Sequence, residues 1–172
     1  MPMQFIDNSI KIIGEINEAT KRWLLEAANE VASHAQRHCQ MAKDGEEIGQ
    51  QLRGSYEPEK NPDLDSGKIY VGSDMEAAYW EEFGTGSHAE KGDGRPGWWV
   101  YVKNGTEHAK KSRTYATREQ AEAKAEAMRA DGLDAYATNG REPAHTLQNA
   151  FIKTNPKAQA LLAQILQEGV GE

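Results

Sequence analysis

Four places in the chain carry side chains whose type and spacing could do chemistry. His34 and His38 share one face of any helix that contains them, the spacing at which two imidazoles bite one metal ion. A metalloprotease built on such a pair needs glutamate directly after the first histidine as general base, and Ala35 holds that position. The pair therefore reads as helix-surface histidines, with Cys39 turned toward a neighbouring face. Glu81 and Glu82, with Asp74 and Glu76 nearby, offer carboxylates for glycoside hydrolysis. That reaction needs one carboxyl raised in pKa by an apolar pocket and a second, ionised, about 5 to 10 Å away. Neighbours on an extended segment point to opposite faces, so the two do not form that pair. Glu82 reads instead as a structural carboxylate that accepts bonds from loop amides. The run Gly84-Thr85-Gly86-Ser87-His88 resembles part of a phosphate loop but lacks the lysine and following helix that bind a nucleotide, and adjacency does not make Ser87 and His88 a dyad. Trp98, Trp99 and Tyr101 have three readings: they stack on bases or sugars, they form a packed strand, or they anchor an interface between identical subunits.

The elements that would position these groups follow from the apolar pattern. Residues 1–14 mix Phe5, Ile10, Ile12 and Ile13 with polar residues and read as a short strand or as an arm laid on a neighbour. From Ile16 to Ala42, apolar Ile16, Ala19, Trp23, Ala27, Val31 and Ala35 recur at helical spacing, which predicts the longest helix of the chain. Lys43 to Gly67 is rich in Gly, Pro, Asp and Asn and reads as a long loop with a brief extended piece at Leu52 to Glu57. Ile69-Tyr70-Val71 then ends a strand at Gly72, where Ser73 and Asp74 supply turn chemistry. Ala78 to Glu82 is extended or partly helical, and Gly84 to Gly97 is a second loop that should be mobile in the isolated chain.

Residues 98–140 read as an inserted β-α-β unit within a single domain spanning 1–172. Trp98 to Val102 is a strand with both faces covered. Thr117 and Gln120 form a capping box, Ala121, Ala125 and Met128 make the buried stripe of the helix, and Gly132 takes the left-handed C-terminal cap. Leu133 to Thr138 alternates as the return strand. Pro143 opens a last helical region carrying Leu147, Ala150, Phe151, Leu161, Leu162 and Ile165, which Asn155-Pro156 should divide into two helices. The fold class is α+β: a long N-terminal helix and C-terminal helices packed on a small, mainly antiparallel sheet.

With 172 residues the chain fits one domain, and a mean hydropathy of -0.80 describes a polar chain with a thin core, of a kind often completed by a partner subunit. A formal net charge of -7 argues against duplex DNA as the main ligand. A lone cysteine gives no intrachain disulfide, no apolar run reaches the roughly 20 residues that cross a bilayer, and the first residues lack a signal-peptide pattern. Synthesis in the cytoplasm is the expectation, with no membrane partner, no cofactor and no metal.

Four motifs stand in a particular order: Leu52-Arg53-Gly54-Ser55, then Val71-Gly72, then Ala78-Tyr79-Trp80-Glu81-Glu82-Phe83-Gly84-Thr85-Gly86, and finally Pro143 to Ala150 with Leu147. In that order they resemble the tailed-phage neck and tail-completion family typified by bacteriophage HK-ninety-seven gene product ten. The chain has Lys43 to Gly49 where members carry Pro-Val-Asp-Thr-Gly, and it keeps only the leucine of the aromatic and leucine that follow the late proline. The resemblance implies a virion protein, assembled in the host cytoplasm, that works by binding without chemistry. It would form a ring of six or twelve copies around the DNA channel, between the portal side of the head and the tail. Its partners would be other neck, head-completion and tail proteins, with DNA passing through without sequence-specific contact. Leu52, Arg53, Ser55, Val71, Gly72, Tyr79, Glu82, Phe83, Gly84, Thr85, Gly86, Trp98, Trp99, Pro143 and Leu147 are the motif and assembly-contact residues this reading selects. The 43–67 and 84–97 loops would order only on docking. Separately, the 98–140 unit is similar to the small repeat of cell-wall-binding SPOR domains, which gives the rival reading of a peptidoglycan-binding or cell-wall-active accessory protein.

Overall fold

The computed structural model describes residues 18–45, 47–103 and 113–169, so the expected strand or arm at residues 1–14 lies outside the described residues. Two long helices, α1 (Glu18–His38) and α6 (Thr146–Gly169), pack against each other and form the spine. They run antiparallel. Trp23 and Leu24 near the start of α1 pack with Ala158 and Leu161, whereas Val31 and Ala35 near its end pack with Leu147 and Ala150. The indole Nε1 of Trp23 donates to the Ala158 carbonyl at 2.6 Å and pins this pairing inside the core.

Short elements fill the end of the spine where α1 stops: α2 (Gln40–Lys43), α3 (Glu47–Ser55) and α4 (Glu76–Phe83). Between α3 and α4, β1 (Glu57–Pro58) pairs antiparallel with β2 (Val71–Gly72). The remaining unit comprises β3 (Trp99–Val102), α5 (Arg118–Ala130) and β4 (Ala135–Thr138), with β3 and β4 antiparallel and Trp99 opposite Thr138. Its own small core is Val100, Ala121, Ala125 and Ala135, with Trp98 and Met128 packed on it. The architecture is the expected α+β arrangement, and the β structure among the described residues is divided into two two-stranded ribbons.

The insert follows its sequence closely. Thr117 Oγ1 accepts from the Gln120 amide, and Gly132 takes a left-handed φ of 85° just beyond α5. Elsewhere the structure corrects the expectations. The N-terminal helix stops at His38, short of the expected Ala42, because Cys39 leaves helical geometry, with ψ at 114°; among the described residues it has 21 residues and α6 has 24. The expected 43–67 loop contains α3, and Gly49 inside α3 is a contact residue. A Cβ there would overlap the backbone of Met41, so α3 crosses α2 only because this position is bare. Pro156 does not divide α6. The ring removes one helical hydrogen bond, to the carbonyl of Ile152, whose side chain is exposed, while packing against α1 holds the helix on both sides. Pro143 precedes α6 by three residues; helical geometry begins at Thr146, after His145 at a positive φ of 49°.

Candidate functional site

α4 and the loop that follows it form a junction that fastens three distant segments. Glu76 to Phe83 is helical throughout, so Glu81 and Glu82 are one helical step apart and both are buried. The extended geometry that would have sent them to opposite faces is absent, yet they still serve different partners. Glu81, 0% exposed, accepts from the Gln40 and Met41 amides that open α2 and from the Thr146 hydroxyl. Glu82 accepts from the Leu147 and Gln148 amides at 2.8 and 3.0 Å. α6 has no acidic residue in its own first turn, so Glu82 supplies the negative charge that its free amides and macrodipole favour. The structural-carboxylate role read for Glu82 holds, with helix-end amides as the donors. Burial nevertheless pushes its pKa above the ordinary value, more than the two amide bonds and His145 pull it down.

Beyond α4, residues 84–88 run alongside residues 139–141. Thr85 N donates to the Arg141 carbonyl, Arg141 N donates to Thr85 Oγ1, and Ser87 N donates to the Asn139 carbonyl, all between 2.7 and 2.9 Å. Gly86 sits at φ 61° with its α-carbon against the Asn139 carbonyl and the Trp99 ring, where any Cβ would overlap both. A side chain at Gly84 would meet the carbonyls of Arg141 and His88 and the ring of Pro143. Two crossed pairs reinforce the seam: His88 Nδ1 lies 2.6 Å from Glu142, and His145 Nε2 lies 3.2 Å from Glu90. The start of the 84–97 loop is thus bonded to the 139–145 segment of its own chain. Tyr79 donates to Asp93 at 2.9 Å and Lys91 sits 4.5 Å over the Phe83 ring, which holds the outer part of the loop to α4.

The other motif residues converge on the same region. Leu52 is fully buried beside Ala77, Ala78 and Leu147. Ser55 shares a 2.6 Å hydrogen bond with Ser73, just after Val71 and Gly72 in β2. Arg53 stands apart, exposed on α3. Trp98 and Trp99 separate: Trp98 packs into the insert core under the Arg118 guanidinium, whereas Trp99 lies against Gly86 on the opposite face of β3.

That opposite face corrects the expectation of a strand covered on both sides. It fronts a cleft of about 620 Å³, walled by Met41, Ile48 and Trp80 on one side and Trp99, Tyr101 and Tyr136 on the other. The Tyr101 and Tyr136 rings stack across β3 and β4 with centroids 5.7 Å apart. Asp44 and Arg141, which form an ion pair, also line the cleft, as does Lys103. Sequence reasoning singled out Trp99 and Tyr101 here but missed Ile48, Trp80 and Tyr136. Only the helical state of residues 47–55 and the antiparallel return of β4 bring those side chains into view.

The His34 and His38 rings stack at 4.2 Å, and burial together with the neighbouring His38 lowers the His34 pKa. Among the described residues, no group of three or more His, Cys, Asp or Glu side chains is placed to hold a metal ion. Cys39 is buried and its thiol is pushed up to about 11, mainly by desolvation. No described helix is long and apolar enough to cross a membrane. Comparison with family models, curated proteins and solved structures found no match to the chain.

Proposed function

We propose that this chain is a structural component of the head-to-tail connector of a tailed bacteriophage, a ring subunit that joins the portal side of the head to the tail by binding alone. The observation that carries this reading is the convergence of four motifs scattered between Leu52 and Leu147 on one junction. Ser55 meets Ser73 after Val71-Gly72, Glu82 caps the helix carrying Leu147, and Gly84 lies against Pro143. Motifs that resemble one family in order and also fit together in space act as one device. The device sets the angles among α2, α4 and α6, and with them the surfaces a subunit presents to its neighbours. In a closed ring each contact is heterologous, so one face of a subunit must complement a different face of the next.

Light scattering and negative-stain imaging of the purified chain, with antibody labelling of phage particles, test the reading. Rings of six or twelve copies and label at the head-to-tail junction are the expected result. A concentration-independent monomer that is absent from particles removes it. The second reading, a cell-wall-binding accessory, draws on the stacked Tyr101 and Tyr136 beside Trp99, because aromatic faces on an open ribbon also grip sugars. Co-sedimentation of the full chain with purified sacculi, abolished by Tyr136→Ala, would favour that reading over the connector.

A further inference from the structure

The aromatic cleft opens where α1 ends, between α2, α3 and the β3–β4 ribbon, whereas residues 1–17 depart from the opposite end, where α1 begins. α1 has 21 residues, so at 1.5 Å per residue these two places lie about 30 Å apart. A recess at one pole and a tether at the other suit head-to-tail joining of identical copies, in which a surface meets something other than itself. We propose that residues 1–17 of one subunit bind as an extended arm in the Trp99–Tyr136 cleft of the next. This names the contact between neighbours, and it rests on the connector reading only for the closing of those contacts into a ring.

Three observations select this occupant. The first is apolar match. Ile48 and Tyr136 are 38% and 41% exposed, two of the five large hydrophobic side chains exposed among the described residues, and both line this cleft. Phe5, Ile6, Ile10, Ile12 and Ile13 supply complementary apolar groups, and in an extended chain Ile10 and Ile12 project from one face while Lys11 projects from the other. The second is charge. Asp44 neutralises Arg141 within the cleft, which leaves Lys103 as the remaining basic group, while residues 1–17 carry Asp7 and Glu15 against Lys11, a side-chain balance of -1. The third is reach. Residues 1–17 extended at about 3.3 Å each span roughly 55 Å, enough to leave their own subunit and lie across the next.

The same reach permits an arm to fold back on its own subunit, so the test separates the two. The double variant Ile12→Cys/Tyr136→Cys of the full chain is oxidised and run under non-reducing conditions, with Ile12→Cys alone as control. Tyr136 is partly exposed, so its replacement leaves the fold intact. A ladder of covalent oligomers extending beyond the dimer is expected. A single fast-migrating monomer, or the absence of any cross-link, overturns the proposal. In parallel, a chain lacking residues 1–17 is expected to run as a monomer at concentrations where the full chain is oligomeric. Rings that persist without residues 1–17 also overturn the arm contact while leaving the connector reading intact. A cross-linked ladder in a protein that never enters particles keeps the arm contact and removes the connector.

Discussion

Desolvation dominates the Glu82 carboxylate and raises its pKa above 4.5 despite amide bonds from Leu147 and Gln148. Because the folded chain holds this proton to a higher pH than the unfolded chain does, the folded state binds more protons between the two pKa values. The stabilisation from this group is therefore complete below about 4.5 and declines as pH rises through the raised folded value. Glu82→Gln removes the titration. The stability of the original chain relative to the variant, from urea unfolding, is expected to fall with rising pH across that window and then level off. A difference that stays constant from pH 4 to 8 would show that Glu82 does not titrate with folding. Glu81 has a different task, since its carboxylate ties Gln40, Met41 and Thr146 together while fully buried.

At the scale of elements, the seam between residues 84–88 and 139–141 depends on bare α-carbons. Gly86→Ala puts a methyl group into the Asn139 carbonyl and the Trp99 ring at a positive φ, and is expected to destabilise by about 3 kcal/mol in chemical denaturation. Gly54 provides the contrast. It lies in α3 with open space where a Cβ would go, so Gly54→Ala is expected to stabilise by about 0.5 to 1 kcal/mol. An equal response from both variants would mean that the seam yields freely. Glycine in a chain reads as punctuation, yet Gly49 and Gly54 lie inside α3, where Gly49 allows contact with Met41. Nothing local around Gly49 marks it as a residue that lets two helices touch, because the contact is with the backbone of Met41 in another helix. α5 was legible because its signals are local: cap, stripe and terminal glycine within one run from Thr117 to Gly132. The continuity of α6 through Pro156 was not, because it rests on Trp23, 135 positions from its acceptor Ala158. Of the candidate site, Glu82, Gly84 and Gly86 could be read from type and spacing, whereas the cleft is built by elements far apart in sequence.

At the scale of the whole molecule, cohesion is uneven. The spine and junction share large buried side chains, among them Trp23, Leu24, Leu52 and Tyr56, whereas the buried residues of the insert are Val100 and three alanines, with Trp98, Tyr115 and Met128 only partly covered. Small side chains bury little apolar area, so the insert should open without the rest of the chain. Native-state hydrogen exchange is expected to show the helical amides of Ala125 and Met128 in α5 exchanging at least roughly tenfold faster than those of Leu24 to Ala35 in α1, a gap of about 1.4 kcal/mol. Equal protection throughout would make the chain one cooperative unit. The consecutive anchors on α4 have a further consequence for how such a chain can change over generations. Each helical position turns about 100° from the last, so adding or losing one residue between Glu76 and Glu81 would rotate both carboxylates away from α2 and α6 at once. Replacements at the positions of this helix that are not buried can be absorbed gradually; a change in its length cannot. Lineages descended from this sequence should therefore record their insertions and deletions outside α4, so that its residue count serves as a ruler for aligning distant descendants whose side chains have otherwise diverged.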